Sequence, residues 1–67
     1  MTTVDARGYS CPQPVLMTKT AIDRSGLPVK VLVDDMTPVQ NITRFAVNSG
    51  YKVSTKELDG EYEITVE

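Results

Sequence analysis

The chain has 67 residues, a formal net charge of −2 and a single cysteine. A chain of this length buries only about 60% of its unfolded surface, so it is expected to form one small domain, residues 1–67, without a deep substrate cavity. One cysteine excludes an internal disulfide framework, and the small net charge argues against a nucleic-acid binder. No apolar run approaches the roughly 20 residues of a membrane span, and no signal peptide is recognisable. We therefore expect a cytoplasmic protein that does not bind membranes, in which the thiol stays reduced.

Two short elements begin the chain. Thr2–Arg7 is predicted as a strand because its apolar and polar residues alternate, and Gly8 permits a tight turn after it. The following stretch has the apolar spacing of an amphipathic helix, and Gly26 is typical of the residue that ends one. The predicted inner side of this helix consists of Pro14, Val15, Met17, Thr18, Ala21, Ile22 and Ser25.

The start of this first helix has more than one interpretation. Pro12 suits the first helical position, and a residue before proline favours extended geometry, so Cys11 is predicted as the N-cap. Alternatively, the helix begins at Pro14. Ser10 and Gln13 also have the spacing of a capping box.

A buried strand and a second helix follow. Val29–Asp34 alternates with valines on one face. Thr37 is predicted as the N-cap of the second helix, with Pro38 at the first position and Gln40 completing a capping box, and Gly50 ends the helix. The predicted inner stripe of the second helix is Val39, Ile42, Phe45, Ala46 and Ser49.

The last two elements form a predicted hairpin. Tyr51–Glu57 and Glu61–Val66 alternate around Asp59-Gly60, a strong signal for a two-residue turn. Such a turn places opposite charges on one face and apolar groups on the other, so both helices must cover the apolar face. Right-handed crossovers then predict a β-α-β-α-β-β two-layer α/β sandwich with three parallel strands and an antiparallel fourth. The predicted pairs are Lys56 with Glu63, Lys52 with Glu67, and Val53 with Val66.

Cys11 is the candidate functional residue. A helix start and nearby cations lower the pKa of a thiol, and Arg7 and Lys19 are the nearest cations in sequence. We expect the thiol to be exposed, because it lies between Gly8 and Pro12. The alternative is a small buried residue, the usual environment of a free cysteine. The backbone N–H groups of Gln13, Val15 and Leu16 are predicted as free donors for a thiolate or persulfide.

The residues around Cys11 exclude several cysteine chemistries. A thioredoxin-type pair needs a second cysteine at Pro14, and a rhodanese-type loop needs an arginine where residues 15–17 are apolar. A cysteine hydrolase needs a histidine base, and the chain has none. Zinc needs about four ligands, and Asp34 and Asp35 have no third ligand nearby, so we interpret them as a solvated loop. There remains a nucleophile without a base or a cofactor, which can accept a soft group from one protein and pass it to another if the partners supply the acid–base help.

The residues around Cys11 form the pattern Asp5-x-x-Gly8-x-x-Cys11-Pro12-x-Pro14. This pattern resembles that of the TusA-like (SirA-like) sulfur carriers, and the resemblance spans essentially the whole chain. It implies a four-stranded sheet of order 1-2-4-3 and a transient persulfide on Cys11. It also implies a cysteine desulfurase or rhodanese as donor and a sulfur-relay acceptor of the DsrE/TusD type, as in tRNA thiolation, molybdenum-cofactor sulfuration or dissimilatory sulfur metabolism. The matching residues are Asp5, Gly8, Cys11, Pro12 and Pro14, then Val15, Lys19, Gly26, the Asp34-Asp35 loop and Gly50-Tyr51.

The motif positions imply supporting roles for four residues. Asp5 and Gly8 hold the strand and loop, and Pro12 and Pro14 shape the helix start around Gln13. The chain is also similar to the N-terminal domain of YedF-type proteins, which are linked to selenium metabolism and often have a second, DsrE-like domain. A free-standing carrier and an excised domain both fit the sequence.

A non-catalytic interaction or regulatory module is the competing hypothesis. Leu16 falls among the polar residues of the first helix, where it is either a single exposed leucine or a contact for a partner. Leu32 is predicted to project from the helix-free face of the sheet, where it would mark a dimer contact.

Overall fold

The computed structural model describes residues 2–10 and 12–67. It has the elements β1 (Thr2–Asp5), α1 (Gln13–Ser25), β2 (Val29–Val33), α2 (Met36–Asn48), β3 (Val53–Leu58) and β4 (Glu61–Val66). The strands form one sheet in the order β1-β2-β4-β3, in which β1 and β2 are parallel and β4 is antiparallel to both of its neighbours. The predicted two-layer sandwich and its strand order are therefore confirmed.

The register of the β3–β4 hairpin is also as predicted. Val53 lies opposite Val66, and Lys56 lies opposite Glu63. The turn contains Gly60 at φ 80°, a conformation that glycine adopts without strain. The predicted start of the strand at Tyr51 is wrong, because the Tyr51 N–H donates to the Ala46 carbonyl and so closes the end of α2.

The core lies between one face of the sheet and the two helices. In β2 the three valines are fully buried, whereas Lys30 and Leu32 on the opposite face are half-buried. The only buried polar side chain among the described residues is Thr18, whose hydroxyl donates to the Pro14 carbonyl at 2.9 Å. Two predicted inner positions, Ser25 and Ser49, are exposed because they lie at or beyond helix ends. The buried apolar core consists of Ala6, Val29, Val31, Val33, Val39, Ile42, Ala46, Ile64 and Val66.

The predicted N-cap of α2 is wrong by two residues. Asp35, not Thr37, precedes the helix, with an extended backbone and a carboxylate that accepts the Met36 N–H at 2.7 Å. A carboxylate at this position also interacts favourably with the positive end of the helix dipole. Pro38 then occupies the third helical position, where its missing N–H still costs nothing because the first four N–H groups lack helical partners.

We expect Asp35→Ala to lower the free energy of unfolding by about 1 kcal/mol, because it removes the side-chain acceptor at the start of α2. Urea denaturation measures this change. Asp35→Asn is the matched control, since asparagine caps helices as well as aspartate does. Equal losses in the two variants would show that the charge, and not the cap, stabilises this helix.

Candidate functional site

The loop between β1 and α1 carries the candidate site. Cys11 itself lies outside the described residues, so its predicted exposure stays a prediction. Ala6 is buried, and its N–H donates to the Leu32 carbonyl at 2.9 Å, which extends the pairing of β1 with β2. Residues 7–10 are exposed before Cys11, and Pro12 and Gln13 are exposed after it. The segments on both sides of the cysteine therefore lie on the surface, at the carboxyl end of the parallel strands.

Hydrogen bonds hold the backbone of this loop in place. The Tyr9 N–H donates to the Ala6 carbonyl at 3.3 Å, around Gly8 at φ 84°. The Gly8 N–H donates to the Asp34 carboxylate at 3.0 Å, and the Arg7 N–H to the Asp5 carboxylate at 3.2 Å. Each N–H from residue 6 to residue 9 thus has a partner, so this part of the loop has a defined conformation.

Asp34 is a supporting residue that the sequence analysis missed. The sequence predicts Asp34 only as half of a solvated acidic pair, yet its carboxylate accepts the Gly8 N–H at 3.0 Å and so stabilises the turn at Gly8. The available signal was its position directly after a buried strand that is parallel to β1, because the carboxyl ends of parallel strands meet at one edge of the sheet. Among residues 2–10 and 12–67, no group of three or more potential metal ligands lies together.

The start of α1 differs from both predictions. The helix begins at Gln13 and is preceded by Pro12, so neither Cys11 as the N-cap nor a start at Pro14 is correct. The predicted capping box is replaced by a backbone turn, in which the Gln13 N–H donates to the Ser10 carbonyl at 2.9 Å. No side chain caps this helix within the described residues.

Two of the three N–H groups that were predicted to be free for an anion have partners. Gln13 donates to Ser10, and the Leu16 N–H donates to the Pro12 carbonyl at 3.2 Å. The Leu16 bond is the first i→i−4 bond of α1, and the Ser10 carbonyl takes up the Gln13 N–H just before the helix. A thiolate at this helix start therefore has fewer backbone donors than the sequence indicated.

Arg7, predicted as a cation near the thiol, is held by two carboxylates. Its Nε and Nη2 donate to the two Asp5 oxygens, each at 2.9 Å, and its Nη1 lies 3.3 Å from Glu61 Oε2. These side-chain hydrogen bonds from Arg7 lower the pKa of Asp5 from 3.8 to about 2. Because the pKa is lower in the folded state, the pair is retained at neutral pH and is lost as the pH falls through about 2. The positive charge of Arg7 is thus largely neutralised locally.

An apolar hollow lies between β1 and α1. Leu16 lies at its edge with 51% of its surface exposed, so the predicted exposure of this leucine is confirmed. Lys19 is exposed in the next turn of the helix and forms no ion pair with any other described residue. The hollow is lined by Val4, Gln13, Leu16, Met17, Thr20 and Ala21.

Comparison with known proteins identifies the family. The family model for the sulfurtransferase TusA matches residues 2–67. The chain belongs to the TusA family. It is 36% identical to a candidate sulfur carrier protein of Methanocaldococcus jannaschii, over 98% of this chain and 92% of that protein. It is also similar to the crystal structure of a SirA-like protein from Desulfitobacterium hafniense, with a TM-score of 0.93 and 38% identity over 98% of this chain and 95% of the other.

TusA-family membership confirms the resemblance that the motif indicated. It places the chain among sulfur carriers and implies partners in a sulfur relay. The helices formed by the described residues are too short and too polar to cross a membrane. Hydrogen bonds that involve Asp5, Arg7 and Asp34 stabilise the loop that carries the single cysteine of this TusA-family chain.

Proposed function

We propose that Cys11 accepts a persulfide sulfur from a cysteine desulfurase or a rhodanese and passes it to an acceptor protein of a sulfur relay. The observation that carries this proposal is the position of the only cysteine of a TusA-family chain, in a loop whose described residues on both sides are exposed. The acceptor is proposed to be of the DsrE/TusD type. The proposed compartment is the cytoplasm, where the thiol stays reduced.

The transfer needs no oxidant. The Cys11 thiolate attacks the outer sulfur of the donor persulfide, a new S–S bond forms, and the S–S bond of the donor breaks as its thiolate leaves. Delivery uses the same chemistry: a thiolate of the acceptor attacks the outer sulfur of the Cys11 persulfide, and Cys11 leaves as a thiolate. Because the chain has no histidine and Arg7 is paired with carboxylates, the partners supply the proton transfers.

Intact-mass spectrometry after incubation with a cysteine desulfurase and cysteine tests the proposal. We expect a gain of one sulfur atom that maps to the peptide containing Cys11 and disappears on treatment with a thiol reductant. A reaction without cysteine is the control. No gain from either a desulfurase or a rhodanese would contradict the proposal, and a mass gain of selenium from a selenium donor alone would indicate the YedF-type function.

A non-catalytic interaction module is the second candidate function, favoured by the exposure of Leu16 beside the hollow between β1 and α1. In this case, Cys11→Ser keeps activity in a genetic complementation assay, whereas Leu16→Asp loses it because a buried contact with the partner would acquire a charge. Val47→Asp is the matched control, since Val47 is 59% exposed on α2. Loss of complementation in Cys11→Ser would instead support the carrier.

A further inference from the structure

Arg7 joins the β1–α1 loop to the β3–β4 hairpin. Its guanidinium holds Asp5 through two hydrogen bonds of 2.9 Å and reaches Glu61, 54 residues away in sequence, at 3.3 and 3.4 Å. Glu61 is the first residue of β4, next to Tyr62, which pairs with the last residue of β2. Arg7 therefore reaches across the end of β2 and links the segment that follows β1 to the first residue of β4.

No other side-chain hydrogen bond among residues 2–10 and 12–67 links this loop to the hairpin. The Gly8–Asp34 bond holds the loop to the segment after β2, and the Arg7 N–H bond to Asp5 is local. The Asp5 carboxylate accepts hydrogen bonds from both the backbone and the side chain of Arg7, so it joins the guanidinium to the loop backbone. Losing the contact with Glu61 would remove the side-chain hydrogen bonds that link the loop to the hairpin.

We propose that Arg7 is a positioning residue for Cys11: bound to Asp5 and Glu61, it fixes the loop that presents the thiol to the sulfur donor. This inference rests on the proposed function for its effect on sulfur acceptance, but its effect on the loop is measurable without any donor. Because each contact of Arg7 is at the surface, its loss costs the whole domain little stability and acts mainly on the conformation of the loop.

Glu61→Gln and Glu63→Gln form a matched pair for the test. Both lose one carboxylate from the same face of β4, but Glu63 pairs with Lys30 at 3.5 Å and not with Arg7. We expect amide hydrogen exchange at residues 7–9 to be about fivefold faster in Glu61→Gln and Arg7→Met, as for the loss of a surface ion pair, and unchanged in Glu63→Gln. The kcat/KM of sulfur loading should fall by a similar factor, Arg7→Lys should recover part of it, and the urea midpoint should fall only by the small amount that the loss of a surface ion pair costs.

Each result decides between distinct interpretations. Unchanged exchange in Arg7→Met, or equal effects in the two glutamine variants, would overturn the positioning role. Faster exchange with unchanged loading would make Arg7 a structural residue only. If the wild type accepts no sulfur, the proposed function fails. The rate at which iodoacetamide alkylates Cys11 then tests the positioning role by itself. A rate that changes in Arg7→Met and Glu61→Gln but not in Glu63→Gln would support this role, and an unchanged rate in Arg7→Met would overturn it.

Discussion

Cys11→Ser is expected to abolish sulfur loading completely. A serine hydroxyl is too weakly acidic and too poor a nucleophile toward sulfur to attack a persulfide without a base, and the chain has no histidine to serve as one. The chain also has no second cysteine that could accept the sulfur. Intact-mass spectrometry after incubation with desulfurase and cysteine should show the mass of the unmodified variant alone.

The control for this result is a test that the variant is folded as the wild type is. Serine is close to cysteine in size, so the circular dichroism spectrum and the urea midpoint of Cys11→Ser should match those of the wild type. Cys11→Ala should behave in the same way. Any covalent sulfur on Cys11→Ser would contradict the assignment of Cys11 as the acceptor, whereas a folded variant without sulfur attributes the loss to the thiol.

Ile42→Ala is expected to have the largest effect on stability. Ile42 is fully buried on the inner face of α2 and is among the largest completely buried side chains. Truncation of a buried isoleucine to alanine lowers the free energy of unfolding by about 2–5 kcal/mol. At about 0.05–0.15 kcal/mol per residue, a domain of this size has a total stability of roughly 3–10 kcal/mol. Thermal and urea denaturation should therefore show a much lower midpoint, and a substantial fraction of the variant should be unfolded at 37 °C.

Val47→Ala is the matched control for Ile42→Ala. It also shortens an apolar side chain of α2, but Val47 is 59% exposed, so its change should stay within about 0.5 kcal/mol of the wild type, as for most surface substitutions. Similar midpoint shifts in the two variants would contradict the expected cost of the buried cavity, because alanine has a higher helix propensity than isoleucine or valine and cannot itself weaken α2.

Local patterns in the sequence were sufficient to predict the sandwich and its hairpin. The valines of β2 alternate, so the strand has one buried face. The Asp59-Gly60 turn allows only one register, which the pairing of Lys56 with Glu63 reproduces. Both patterns involve residues that are close together in sequence, so they do not depend on how the strands pack against the rest of the chain. The order 1-2-4-3 followed from the family motif, and the sheet confirms it.

The helix starts and the supports of the site depend on the tertiary structure. Several residues near each helix start can cap it, and the direction in which the chain leaves the sheet selects Asp35 over Thr37 and places Pro12 before α1. The partners of the loop lie farther away: Asp34 is 26 residues from Gly8, and Glu61 is 54 residues from Arg7. Periodicity and spacing carry no information about such pairs. They form because the parallel strands β1 and β2 end at the same edge of the sheet where β4 begins, which brings their following residues together.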